Sequence, residues 1–141
     1  MKLVREHINE ISLGGSHLKR MGTGWQAIIK KWFDVAGISS KKYTINDDLT
    51  IDVIGHLDLS GTPITSLPDN LSVGGSLYLR DTPITSLPDN LSVRGSLYLR
   101  GTPITSLPDN LSVGGSLWLE GTPLTSLPKD LKVKGNIIKD F

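Results

Sequence analysis

The side chains that most often carry chemistry are scattered in this chain. Its three histidines, His7, His17 and His56, are separated from one another and lack metal-ligand spacing. There is no cysteine, which excludes disulfides and thiolate chemistry. Ser66 and Ser76 recur every twenty residues, and because a nucleophile does not normally occur as a periodic set, we interpret them as turn or surface residues. We therefore predict that the protein is not an enzyme and uses no cofactor.

Two adjacent carboxylates, Asp47 and Asp48, are the other candidate for chemistry. A metal ion could bind such a pair, but acidic residues between two alternating apolar runs are typical of a turn. We predict a turn here and no metal site. The chain also has no Gly-rich loop ending in Lys-Ser or Lys-Thr, the kind that cradles phosphates.

The dominant feature of the sequence is a twenty-residue unit that repeats four times without a gap. The full copies begin at Leu57, Leu77, Leu97 and Leu117, and a partial fifth begins at Ile137. A fixed period in this range is typical of a solenoid, in which each unit packs against its neighbours. Such folds build ordered surfaces, and the repeat therefore favours a binding function over catalysis.

Each unit contains a short alternating segment. In the second copy Leu77 and Leu79 occupy alternate positions, which predicts a strand with both leucines inside. Tyr78 and Arg80 would then point outward. Residues 81–83 turn the chain, because their proline has no N–H to continue a strand ladder. We predict a parallel sheet on one face of the solenoid and mostly irregular return arcs.

The repeat, read as LxLxxTxIxxLPxxL over residues 57–136, resembles the short bacterial form of the leucine-rich repeat. In that family an asparagine bonds buried backbone groups of adjacent coils. The corresponding residues here are Thr62, Thr82, Thr102 and Thr122. The resemblance implies a reduced ladder made by the threonine hydroxyls, and the alternative is that threonine only fills a tight turn.

The end coils of a solenoid expose apolar core and need caps. One apolar helix face is predicted before the repeats, at Trp25, Ile28, Ile29, Trp32 and Phe33. Residues 43–53 read as a hairpin that leads into the first repeat. We predict that helix and hairpin cap the first coil, and the alternative for the helix is a membrane-surface or partner-binding element. Phe141 is expected to fold back over the last coil.

The predicted organisation has three parts. Residues 1–20 form an N-terminal segment that is expected to be mobile, with a leader that is processed or read by a partner as the alternative. Residues 21–56 form the cap, and residues 57–141 form the repeats. Helix, hairpin and short repeats together resemble leucine-rich repeat proteins of large bacteriophages. This resemblance implies a viral origin, a protein-binding role and a location in the cytoplasm of a bacterial host, with the virion as an alternative.

Charge and hydropathy narrow the class of partner. The chain has 15 basic and 14 acidic residues, so there is no bulk attraction to nucleic acid. No apolar run approaches the roughly 18 residues that would span a bilayer. We expect a soluble protein that binds neither nucleic acid nor membrane.

Comparison of the copies locates the candidate site. The first and third copies differ only at Asp58 against Tyr98 and at Ser60 against Arg100, which are the outward strand positions. Asp69, expected to be exposed, does not vary through the first three copies. The predicted partner-binding residues form two columns, Asp58, Tyr78, Tyr98 and Trp118 in one, and Ser60, Arg80, Arg100 and Glu120 in the other. Aromatic residues and arginine are enriched in binding hot spots, although stacked aromatics also stabilise sheets.

Three functions are compatible with this surface. The first is a module that binds another protein, whose identity the sequence does not reveal. The second is a structural protein that assembles with itself, for example in a virion. The third is an ice-binding surface made by the threonine column Thr65, Thr85, Thr105 and Thr125. It is the least favoured, because neighbouring serine and proline residues interrupt a flat threonine array.

Overall fold

The computed structural model describes residues 23–48 and 50–141, with side chains from residue 26 onward, so the predicted segment 1–20 and the Trp25 side chain lie outside it. Helix α1 spans Thr23–Val35, and a short 3-10 helix spans Ser40–Lys42. Eleven short strands follow in this part of the chain. They are β1 Tyr43–Ile45, β2 Ile51–Val53, β3 Leu57–Asp58, β4 Leu71–Val73, β5 Leu77–Tyr78, β6 Ser92–Val93, β7 Leu97–Tyr98, β8 Ser112–Val113, β9 Leu117–Trp118, β10 Lys132–Val133 and β11 Ile137–Ile138.

Helix α1 packs on the solenoid through the predicted apolar face. Ile29, Trp32 and Phe33 are buried and belong to the same core cluster as the repeat leucines. The Phe33 ring stacks on Tyr43 at a centroid distance of 4.0 Å, which ties the helix to β1. The helix ends at Val35, and Gly37 follows in the turn with a φ of 81°, a conformation that glycine adopts without strain.

The predicted hairpin is present. β1 and β2 pair antiparallel, with Tyr43 opposite Val53. Between the strands the Asp48 Oδ1 accepts hydrogen bonds from the Thr50 N–H at 3.1 Å and from the Thr50 hydroxyl at 2.7 Å. These bonds are the turn chemistry that the sequence predicts for Asp47 and Asp48.

The repeats form a solenoid with parallel strands, which confirms the predicted fold class. The strands at the start of each unit, β3, β5, β7, β9 and β11, pair in register to make the sheet that we call the face sheet. The return arcs carry a second sheet in the order β1-β2-β4-β6-β8-β10, the arc sheet. The sequence predicts one sheet and mostly irregular arcs. The arc sheet is therefore an additional element that the prediction did not include.

The cap and the first repeat share this arc sheet. β2 pairs in parallel with β4, and the register aligns Ile51 with Leu71 and Val53 with Val73. Since these partners are twenty residues apart, the hairpin's second strand occupies the arc position of a preceding coil. The solenoid therefore starts half a coil before Leu57, and the first coil stacks on a partial coil.

The core lies between the two sheets. In the second coil Leu77, Leu79, Ile84 and Leu91 are fully buried. Each such side chain contributes about 1.5–3 kcal/mol to folding before the loss of conformational entropy is subtracted. Because equivalent residues stack from coil to coil, no coil buries its apolar side chains alone.

The last coil is less covered than the inner ones. Ile137 is 39% exposed and Phe141 is 38% exposed, whereas Leu117, one coil earlier than Ile137, is fully buried. The Lys139 Nζ lies over the Phe141 ring at 4.6 Å and donates to the Phe141 carbonyl. The expected packing of Phe141 over the last coil is therefore incomplete, because the phenyl ring packs beside a lysine of its own segment.

The repeated threonines act within their own coil. The hydroxyls of Thr82 and Thr102 each donate to the carbonyl oxygen three residues earlier, at 2.9 and 2.8 Å. Thr62 and Thr122 make the same bond. Their hydroxyl hydrogens therefore do not link adjacent coils, and the tight-turn alternative describes them better than the expected ladder.

Candidate binding face on the repeat strands

The face sheet presents one set of side chains to the outside. Leu77 and Leu79 are fully buried, whereas Tyr78 between them is half-buried. Arg80, the next outward residue, is exposed. Parallel pairing aligns each outward residue with its equivalent in the next coil, as it aligns Tyr78 with Tyr98. The predicted columns are therefore present.

Three rings of the face sheet form a continuous stack, which we call the aromatic column: Tyr78, Tyr98 and Trp118. The rings of Tyr78 and Tyr98 have centroids 4.7 Å apart and planes 6° apart. Tyr98 and Trp118 follow at 5.8 Å and 13°. Because the rings lie face to face, the surface offers ring edges and phenol oxygens rather than a free ring face.

His56 is a member of this surface that the sequence analysis treated as isolated. Its ring meets Tyr78 edge-on, with centroids 6.1 Å apart and planes at 69°. The side chain is exposed. The alignment of Ile51–Val53 with Leu71–Val73 places His56 in the position of Ser76, which is the signal that could have located it.

The first coil differs from the others. Asp58 and Ser60 are exposed, and the Asp58 Oδ1 accepts a hydrogen bond from the Ser60 N–H at 3.0 Å. Asp58 thus closes a turn of its own backbone and adds no ring to the stack. Asp58 and Ser60 therefore lie in the predicted columns, but neither contributes a ring to the aromatic column.

The second set of outward residues forms what we call the charged column: Arg80, Arg100, Glu120 and Asp140. The two arginines and Asp140 are exposed and Glu120 is half-buried. The Asp140 Oδ2 accepts the Gly121 N–H at 3.1 Å, where the preceding coil uses the Glu120 backbone carbonyl, so this carboxylate is tied to the backbone of the fourth coil. The sequence analysis missed Asp140 and its neighbour Ile138, which pairs with Trp118, because the fifth unit is incomplete.

A ladder of side-chain acceptors supports the face sheet from one end. The Ser96 N–H donates to the Ser76 Oγ at 3.0 Å, and the Ser116 N–H donates to the Ser96 Oγ at 3.0 Å. His56 begins the ladder, since its Nδ1 accepts the Ser76 N–H at 2.8 Å. The Asn136 N–H ends it on the Ser116 Oγ at 3.2 Å. The interpretation of Ser76 as a turn or surface residue is corrected, because it is buried and links coils.

The arcs carry a second, polar ladder. The Asn110 side-chain amide donates to the Asn90 Oδ1 at 2.7 Å, and the Asn90 amide donates to the Asn70 Oδ1 at 3.2 Å. These side-chain amides hydrogen-bond one another from coil to coil, so a binding partner is not needed to explain them. We assign this ladder to fold stability.

Asp69 does not lie on the surface, where the sequence predicts it. It is buried, although its equivalents Asp89 and Asp109 are exposed. Burial, with a smaller effect of the neighbouring Asp89 charge, raises the pKa of Asp69 from 3.8 to about 6.

The cap contains a shallow cavity of about 370 Å³. Gln26, Lys30, Ser40 and Tyr43 are among the residues that line it. The Tyr43 hydroxyl is buried without a hydrogen-bond partner in the described part of the chain, and burial raises the pKa of this phenol. No residue of the aromatic or charged columns lines the cavity, so it is separate from the candidate face.

Two further properties of residues 23–48 and 50–141 concern metal binding and membrane insertion. Within these ranges no three His, Asp or Glu side chains come together as a metal-ligand set. The helices in the same ranges are too short or too polar to cross a bilayer. The chain matches no protein-family model, no curated protein and no solved structure.

Proposed function

We propose that this protein is a non-enzymatic binding module that recognises another protein through the outward surface of the face sheet. The observation that carries the proposal is the aromatic column, a row of ordered, half-buried rings beside two exposed arginines. Tyrosine, tryptophan and arginine are the residue types most enriched in binding hot spots.

Order in the free protein supports this proposal. Tyr78 and Tyr98 hold each other in place, and their strands are fixed by backbone pairing and by the serine ladder. Side chains that are already ordered lose little conformational entropy on binding, so more of the contact energy appears as affinity. Among the first three copies the variable positions lie on this surface or at the bends beside it, whereas the coil-forming residues are constant.

The resemblance to short leucine-rich repeat proteins, including those of large bacteriophages, favours the same function. On this reading the partner is a protein of the bacterial host cytoplasm. The second candidate function is self-association through the same face, and the order of charges along the charged column favours it.

The test is an affinity purification with a matched pair of triple variants. One removes the aromatic column (Tyr78→Ala, Tyr98→Ala and Trp118→Ala), and the other removes exposed threonines off the face sheet (Thr85→Ala, Thr105→Ala and Thr125→Ala). Circular dichroism and thermal melts establish that both variants are folded. We expect wild type and the threonine variant to retain the same protein partner and the aromatic variant to lose it. Retention of that partner by the folded aromatic variant would overturn the proposal.

A further inference from the structure

The positive and negative residues of the charged column follow a definite order along the solenoid. From the second coil to the fifth it reads Arg80, Arg100, Glu120 and Asp140, which is two positive charges followed by two negative charges. The coils are stacked by parallel strands, so successive charges are about 4.8 Å apart. The sequence of signs is antisymmetric about the midpoint between the third and fourth coils.

An antisymmetric row of charges is complementary to itself. Two copies can be placed with their face sheets toward each other and a two-fold axis between them. If this axis is parallel to the strands and passes through that midpoint, the third coil of one copy lies opposite the fourth coil of the other. Arg100 then faces Glu120 of the second copy, and Arg80 faces Asp140 of the second copy. Each cation meets an acid, as an isologous interface requires.

The same operation pairs the apolar residues. Tyr98 comes opposite Trp118 of the second copy, and Tyr78 comes opposite Ile138 of the second copy. Trp118 and Ile138 are half-buried and adjacent in the face sheet, so they form one patch. A two-fold axis along the solenoid would keep each coil level with the same coil of the second copy, so no arginine would lie opposite an acid of the charged column. The charges therefore select one of the two face-to-face arrangements.

We propose that the face sheet binds a second copy of this chain in this antiparallel arrangement of coils. The inference rests on the proposed function, because it uses the same protein-binding face, and it develops the second candidate, self-association. Four strands span only about 15 Å, and stable interfaces bury about 800 Å² per partner, so the dimer is weak. Its formation depends on protein concentration and decreases with salt, which screens the facing charges.

A charge-swap experiment tests the pairing directly. The acidic-face variant carries Arg80→Glu and Arg100→Glu, and the basic-face variant carries Glu120→Arg and Asp140→Arg. Each variant has four like charges in its column and is expected to be monomeric by sedimentation velocity at concentrations where wild type dimerises. An equimolar mixture is expected to form a heterodimer, because the two columns are now opposite in sign. Raising the salt from about 0.05 M to about 0.5 M should weaken both dimers at least tenfold.

A matched control separates this pairing from a general effect of charge. Lys30→Glu with Lys31→Glu makes the same change in net charge as the acidic-face variant, on exposed positions of helix α1, and it should dimerise like wild type. A wild-type protein that stays monomeric at millimolar concentration, or a mixture of the two variants that stays monomeric, would overturn the inference. The proposed function has a separate test, the affinity purification. It is overturned only if the folded aromatic variant retains the protein partner that wild type binds.

Discussion

The imidazole of His56 and the backbone of Ser76 are joined by a hydrogen bond of 2.8 Å, in which the Ser76 N–H donates to Nδ1. In the coils that follow, a serine hydroxyl accepts the equivalent bond. His56 thus performs in the cap the task that Ser76 and Ser96 perform in the repeats. His56 also contacts Tyr78, so it belongs both to the hydrogen-bond ladder and to the candidate binding face.

Loss of the acceptor at position 56 should therefore weaken the first coil. We expect His56→Ala to lower the free energy of unfolding by about 1–2 kcal/mol, because the Ser76 N–H is left without a protein partner. His56→Ser places in the cap the residue used by later coils and should lose less than half as much. Urea denaturation with unchanged m-values measures both. Equal losses for the two variants would show that the hydrogen bond is not what His56 contributes.

The glycines of the bends are a second point of close approach between coils. A Cβ built on Gly95 lies 2.8 Å from the Gly75 carbonyl carbon and 2.8 Å from the Ser76 nitrogen, both backbone atoms that cannot move aside alone. We expect Gly95→Ala to destabilise the protein by about 1–3 kcal/mol, as overpacking of a core does.

The matched control for this prediction is Gly74→Ala. There the nearest atom to a Cβ, the Val53 carbonyl oxygen, is 3.1 Å away, and the equivalent residue of the next coil is Arg94. The loss for Gly74→Ala should be clearly smaller in the same denaturation series. If the two alanine variants lose the same stability, close stacking of the coils at Gly95 is not the cause.

These residues show what the sequence could and could not predict. The face sheet was predictable, because Leu77 and Leu79 alternate with outward residues and repeat at a fixed period. The arc sheet was harder to predict, because strands such as Ser92–Val93 are only two residues long and their pairing partner is another coil.

The serine ladder and the burial of Asp69 depend on contacts between residues distant in the sequence. The Ser76 hydroxyl finds its donor twenty residues later, so its role follows from coil stacking and not from residue type. Asp69 has the same local sequence as Asp89, yet only Asp69 is buried. For the candidate face, the columns were predictable from the repeat, whereas ring geometry and the fifth-coil residue Asp140 required the structure.

The buried Asp69 should make stability depend on pH. Its folded pKa of about 6 lies above the ordinary 3.8, so the folded state binds the proton more tightly than the unfolded state. This contribution to stability is complete below pH 3.8 and is lost as the pH rises through about 6. We expect ionisation of Asp69 to cost roughly 1–2 kcal/mol by neutral pH, after allowance for solvent screening.

The comparison of Asp69→Asn with wild type isolates this effect from the other carboxylates. The variant should gain stability relative to wild type between about pH 4 and pH 7, as measured by thermal melts across that range. Asp109→Asn alters an exposed carboxylate and serves as the control, with a difference from wild type that stays flat. A flat difference for Asp69→Asn as well would contradict the assigned burial.

Site-specific photocrosslinking can show whether the face sheet is the surface that contacts protein. Benzoylphenylalanine replaces Tyr98 on the aromatic column in one sample and Thr105, an exposed residue off the face sheet, in the other. Irradiation of the purified protein and of the protein in cell extract should give covalent protein adducts from position 98 and none from position 105. Adducts of equal yield from both positions, or adducts from position 105 alone, would contradict the account.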